Sequence, residues 1–486
     1  MRFLWAILRA VLRRWRLGAV PLGLALSGSP QPGARAADLA GVLRYSWAVS
    51  GGSTQSDKVE ADGNAIDSTG AIIAGGIFHG TSRFTTSLGK SFQLTSRGDG
   101  DIFVLKFSRS GELLWSRQFG GPGKDNAFDL TVDRQDNILV SGWFSGEVAF
   151  GSTVLKSLGD TDAFLAKLSP AGEVLWAQQM GGAGPDGANE VAVDPQGNIL
   201  LSAMSGGTFT VGGTSFQNGG FHDAYIIKFA PDGRLIWARN TNGPGLERIR
   251  AISSDGLGNV YAGFQVRGTF RIGSLVLEGV GGWDGVMTKW SPSGELLWHA
   301  HLATSGDDGI SASAGTRDGA AYFAGAVDGR TVIGGLPVES AGKRESFVFK
   351  LSPTGRPEWG VTFSGRRPGN ALELFTTPNG DVLVSGAQKG LTSVRRNGRE
   401  IAAIQPSTTA RTEATVMLLS STGELLGRLG PTASEHSTAN TCDVGPDGKT
   451  FVQSVVFNGD ITYGRDRFVG VGQRNFLLVV GTVNRP

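Results

Sequence analysis

Ten residues after each of five tryptophans stands a carboxylate: Asp57, Asp125, Asp186, Glu247 and Asp308 follow Trp47, Trp115, Trp176, Trp237 and Trp298. At the same offset the later units carry Gly369 and Ser437. A second acidic column runs Asp101, Asp162, Asp223, Asp284 and Glu345. Repeated carboxylates supply the hard oxygen ligands that calcium takes, so the first column is the candidate metal site and calcium the one cofactor the chain suggests. The plainer reading is preferred: each carboxylate accepts backbone N–H groups and shapes its own loop, and no cofactor is needed.

Other candidates for chemistry are thinner. The strings GGPGKD (Gly120–Asp125) and GGAGPD (Gly181–Asp186) match the start of a calcium-binding nonapeptide. That motif needs consecutive nine-residue units to share each ion, and here the copies stand 61 residues apart. A lysine column, Lys106, Lys167, Lys228, Lys289 and Lys350, is read as shielding a strand surface or pairing with the acidic columns. His299 and His301 could point from one strand face toward a metal, but no third ligand stands at a suitable spacing. The single cysteine, Cys442, reads as a buried strand residue. No nucleophile–base pair is visible, so catalytic residues are not assigned.

The elements that must hold these residues are betrayed by tryptophan. Trp47, Trp115, Trp176, Trp237, Trp298 and Trp359 recur at spacings of 68, 61, 61, 61 and 61, and Leu425-Leu426-Gly427 continues the phrase after another 68. Within one period the turn residues separate four short strands, the content of one propeller blade. With 75 glycines in 486 residues and 18% charged side chains, short strands and tight turns fit the whole chain. The strand around Trp47 arrives without strands of its own blade, while segments from Ala439, Lys449 and Asn475 supply three strands without a fourth. Joining them removes two open sheet edges and predicts an all-β, seven-bladed β-propeller with four-stranded blades, closed by the N-terminal strand. The six tryptophans are expected to be structural, each ring buried between blades.

The phrases LLWSRQFGGPGKDNAFDLTVDRQDNILVSGWFSG and VLWAQQMGGAGPDGANEVAVDPQGNILLSAMSGG resemble the repeat of the bacterial secreted seven-bladed β-propeller (SBBP) family, over roughly Tyr45 to Val483. The resemblance implies the fold and says almost nothing about activity. The sixth unit departs from it, lacking the Trp and the Asp-x-x-Gly-Asn turn.

Residues 1–36 read as a signal peptide: Arg2, Arg9, Arg13, Arg14 and Arg16 precede an apolar stretch, and Ala34-Arg35-Ala36 offers a cleavage site. Residues 37–44 form a short lead and 45–486 the propeller. Cleavage removes six Arg, leaving 39 Lys and Arg against 43 acids, so a basic footprint for nucleic acid is missing. The expectation is a monomer, secreted to an extracellular, periplasmic or outer-surface location, with no membrane span once the signal is cut. Its expected role is a non-catalytic scaffold binding a protein or glycan; the alternative is a hydrolase or lyase using loops of one face. The one conspicuous break in symmetry is Gln388 to Arg411, rich in arginine.

Overall fold

Strands squeezed between two neighbouring sheets must be apolar on both faces. Ile72–Phe78 and Asp101–Phe107 are buried at every position, whereas Leu113–Phe119, the last strand of the same sheet, is mostly part-exposed. The computed structural model describes residues 42–484 apart from 54–57, 341–343, 405–412 and 471–473. Asp57, Arg411 and the expected signal peptide thus lie outside the described residues.

The strands order as antiparallel sheets of four, each joined in sequence order. Val59–Ile66, Ile72–Phe78, Asp101–Phe107 and Leu113–Phe119 make the first unit. Asp125–Val132, Ile138–Phe144, Asp162–Leu168 and Val174–Met180 make the second. The third runs from Asp186–Val193 to Leu235–Asn240, and the fourth from Leu246–Ser254 to Leu296–Leu302. The chain is an all-β propeller with four strands per blade. The N-terminal strand Leu43–Ser53 pairs with Asn475–Val483, placing Trp47 opposite Val480, and Asn475–Val483 pairs in turn with Thr450–Asn458.

The expectation of seven separate four-stranded sheets needs correction. The fifth and sixth units are fused into one eight-stranded sheet, because Pro357–Thr376 runs without a break from the outer edge of one into the other. The closing sheet has six strands, since the hairpin Thr81–Thr86 and Ser91–Thr95 adds to the free edge of Leu43–Ser53. Both departures fall in the two 68-residue periods. In the second, third and fourth blades the hairpin between the second and third strands is short and touches the preceding blade by a single bridge: Gly120 to Ala149, Gly181 to Thr210 and Thr241 to Ile272. Extra residues lengthen that contact into full pairing, which covers an edge that would otherwise be open.

The core lies in layers between blades. One layer joins Ile73, Ile102 and Val104 of the first unit to Leu130, Val140 and Phe164 of the second. The innermost strands share another feature: each carries a register shift at the same place, between Ala61 and Gly63, Ala127 and Asp129, Ala188 and Val191, Ile249 and Ala251, Ile310 and Ala312, Ala371 and Glu373, and Ala439 and Thr441. Such bulges re-aim side chains, here along the central channel.

Candidate functional site

The repeated charges are spent inside the fold. Each described aspartate of the two columns, apart from Glu247 and Glu345, accepts the backbone N–H four residues before it: Arg97 to Asp101, Gly121 to Asp125, Leu158 to Asp162, Gly182 to Asp186, Gly219 to Asp223, Val280 to Asp284 and Thr304 to Asp308. Glu345 accepts the Ser364 hydroxyl at 3.0 Å. The columns meet in pairs across blade boundaries. A point beside the Gly181 Cα lies 2.7 Å from an Asp186 oxygen and 3.0 Å from an Asp162 oxygen. Burial first, and then the neighbouring charge of Asp101, pushes Asp125 up to about 7. Burial, then Asp223, pushes Glu247 up to about 8, and burial pushes Asp186 up to about 6. None of Asp125, Asp186, Glu247 or Asp308 lines the central cavity. Among the described residues no three His, Cys, Asp or Glu side chains gather as metal ligands; His301 lies 3.7 Å from Asp284.

The lysine column neither shields a surface nor pairs with these acids, which corrects the reading above. Lys106, Lys167, Lys228 and Lys289 are buried and reach Asp67, Asp133, Asp194 and Asp255 at 2.8, 2.9, 2.8 and 3.4 Å. Those acids open the turn between the first and second strands of the same blade. Lys350 has Thr316 where the others have the acid, and pairs instead with Glu358 at 2.9 Å. Each ammonium also donates to a carbonyl of the next blade: Pro170, Pro231, Pro292, Pro353 and Ser421.

Four of those carbonyls are shared with tryptophan. Trp115, Trp237, Trp298 and Trp359 donate Nε1–H to Pro170, Pro292, Pro353 and Ser421 at 3.0–3.1 Å, and Trp47 donates to Arg109 at 2.9 Å. Trp47, Trp237 and Trp359 are buried, while Trp115, Trp176 and Trp298 are half-buried. A turn glycine of the following blade lies on each ring. Gly294 sits at φ +82°, and a Cβ there would come within 2.9 Å of Trp237. Tryptophan, lysine and glycine together form one inter-blade joint, repeated around the ring.

What the repeat does not use collects in the channel. A cavity of about 650 Å³ opens there, lined by Lys58, Phe128, Trp143, Arg250, Arg344 and Arg474 among others. Phe128 and Trp143 meet edge to face at 6.4 Å. Lys58 and Arg474 share Glu60, at 3.0 and 2.7 Å. Deeper in, Asp129 accepts the Val191 N–H and Glu190 the Ile252 N–H, each from the next blade's inner strand. Burial first, then like charges, pushes Asp129 up to about 8 and Glu190 and Glu373 well above the carboxylate range. Asp62, held by Asn440 at 2.8 Å, rises to about 7 by burial and then the charge of Glu60. Sequence reasoning missed this site. Its signal was the residue at the bulge, which changes type from unit to unit: Asp62, Phe128, Asn189, Arg250, Ser311, Asn440.

Residues 114–143 match the family described as SBBP, the beta-propeller repeat. The chain carries a match to the SBBP repeat there. Over 148 residues this chain is 28% identical to an uncharacterized WD repeat-containing protein of Acanthamoeba polyphaga mimivirus, an alignment taking in 28% of this chain and 10% of that one. Over 314 residues it is 22% identical to the regulatory protein FlaEY of Caulobacter vibrioides, covering 60% of this chain and 33% of the relative. It therefore spans a tenth and a third of the lengths of these two relatives. Among solved structures it is similar to a streptogramin B lyase (TM-score 0.39, 12% identity, 90% of this chain and 99% of that one). A gluconolactonase from Xanthomonas campestris gives 0.37 and 11%, covering 95% and 99%. A Dyadobacter fermentans protein of unknown function gives 0.37 and 10%, covering 91% and 100%. At these scores the likenesses say nothing about what the propeller binds.

Proposed function

We propose that this protein is an exported, non-catalytic β-propeller scaffold that binds a protein or glycan at the mouth of its central channel. One observation carries the reading: repeated charged residues are consumed by loop braces and blade joints, whereas residues that break the repeat converge on one cavity. A ligand is asymmetric at the scale of a blade, so a site for it needs a break in symmetry. Export rests on the arginine-rich N-terminus and its Ala-x-Ala site; no helix among the described residues is long and apolar enough to cross a membrane. The propeller is read as a monomer without a resident cofactor.

A second reading, a hydrolase or lyase, draws on Asp62, whose carboxyl lines the cavity and is raised to about 7. A carboxylic acid still protonated near neutrality can serve as a general acid. Asp129 and Glu190, by contrast, are already engaged by backbone N–H groups, which favours bracing over catalysis. The test is a screen of the protein against polysaccharide and protein arrays, with product analysis of every binder. The scaffold reading expects retention of an intact ligand. Cleavage of the ligand, abolished by Asp62→Asn, would replace it with the hydrolytic one.

A further inference from the structure

The channel is not evenly charged. On the fourth and fifth blades, Arg250 makes no hydrogen bond or ion pair with any described residue, and Arg344 buries an Nε with no partner. Both guanidinium groups line the same cavity. Small residues, Gly309, Ser311 and Ala326, line the same cavity of about 650 Å³. The other arginine and lysine of the cavity, Arg474 and Lys58, are already satisfied by Glu60. Glu190, an acid whose charge acts on Arg250, is desolvated by burial and has one oxygen already engaged by the Ile252 N–H at 2.8 Å.

A planar fork of donors in a recess is suited to an oxyanion, above all a carboxylate, which it can hold by two parallel hydrogen bonds. Elsewhere in the same cavity Phe128 and Trp143 expose part of an edge-to-face pair. Flat apolar rings next to fixed polar donors match a sugar, whose ring presents C–H groups on one face and hydroxyls around its rim.

We propose that the channel mouth binds an acidic saccharide, its carboxylate on Arg250 and Arg344 and its ring against Phe128 and Trp143. The proposal rests on the reading of the channel mouth as the binding site and adds the ligand class. Calorimetric titration with a galacturonate trisaccharide and with its neutral galactose counterpart tests it. The acidic sugar should bind about tenfold tighter than the neutral one and lose that advantage in Arg250→Gln, the size of one charge-assisted pair. Trp143→Ala should weaken both sugars, and the melting temperature of each variant reports whether it is folded. Equal affinity for the two sugars, with Trp143→Ala still weakening both, overturns the anion site and leaves the channel as the binding site. Binding of the acidic sugar untouched by either substitution overturns both readings. Failure of both sugars to bind overturns the saccharide class, and the array screen then decides the channel on its own.

Discussion

At the scale of single residues, the same type of side chain does opposite work according to its surroundings. Asp67 and Asp133 are buried, yet the ammonium groups of Lys106 and Lys167 and local N–H groups outweigh burial and hold them below the usual carboxylate range. Asp125, Asp186 and Asp129 lack a cation, and burial raises them to about 7, 6 and 8. For the raised groups the folded chain binds protons that the unfolded chain has released, so their stabilising contribution is present below about pH 4 and lost as pH rises through 6 to 8. The lysine-paired acids act in the other direction, losing their contribution as pH falls below about 4. Calorimetry should therefore find the highest melting temperature between about pH 4 and 6 and a decline toward pH 8. A maximum at pH 8 would mean that the raised carboxylates are paired with cations. Calcium is one such cation. One oxygen of each of Asp125, Asp186 and Asp308 already accepts a backbone N–H, and no third acid or imidazole gathers with them among the described residues, so calcium and chelator should leave the transition unchanged. A calcium-dependent rise would assign the columns to metal. Tryptophan answers to a simpler test. Trp237→Ala removes a ring that is 8% exposed and should cost about 3 to 5 kcal/mol, read from denaturant unfolding, with ligand binding by the folded fraction retained.

At the scale of elements, the joint explains why the tryptophan period was so legible. Trp, the lysine five residues into the third strand and the turn glycine must all recur, since each blade docks on the next through the same three contacts. The four strands and the pairing of Leu43–Ser53 with Asn475–Val483 follow from that period, and both stand in the structure. What the repeat hid was anything that varies. Nothing in the spacing marks Asp67, Asp133, Asp194 and Asp255 as partners of the lysines, because acids at turn positions are also expected for turn geometry alone. The bulged inner strand is likewise silent, since its residue is Asp, Phe, Asn, Arg or Ser in successive units. The fusion through Pro357–Thr376 was invisible because insertion length does not reveal which edge the inserted strand will cover. A chain starting at residue 54 tests the closure: it lacks Leu43–Ser53 and uncovers both Asn475–Val483 and the hairpin Thr81–Thr95. It should melt at least about 10 °C lower and aggregate through the exposed edge. An unchanged transition would mean that this strand only decorates the sheet.

At the scale of the whole molecule, the propeller separates two populations of residues. Those that repeat hold the ring together, and those that do not repeat face the channel. Paired substitutions expose that separation directly. Asp186→Ala breaks a repeated brace whose carboxyl accepts the Gly182 N–H at 2.6 Å, while Arg250→Ala combined with Trp143→Ala strips the channel mouth. Melting temperature and affinity for a ligand recovered from the arrays are measured on both. Asp186→Ala should lower the melting temperature by about 3 °C or more with affinity unchanged, while the channel pair should abolish binding and shift melting by no more than about 2 °C. Loss of binding in Asp186→Ala with full binding by the folded channel variant would contradict the account.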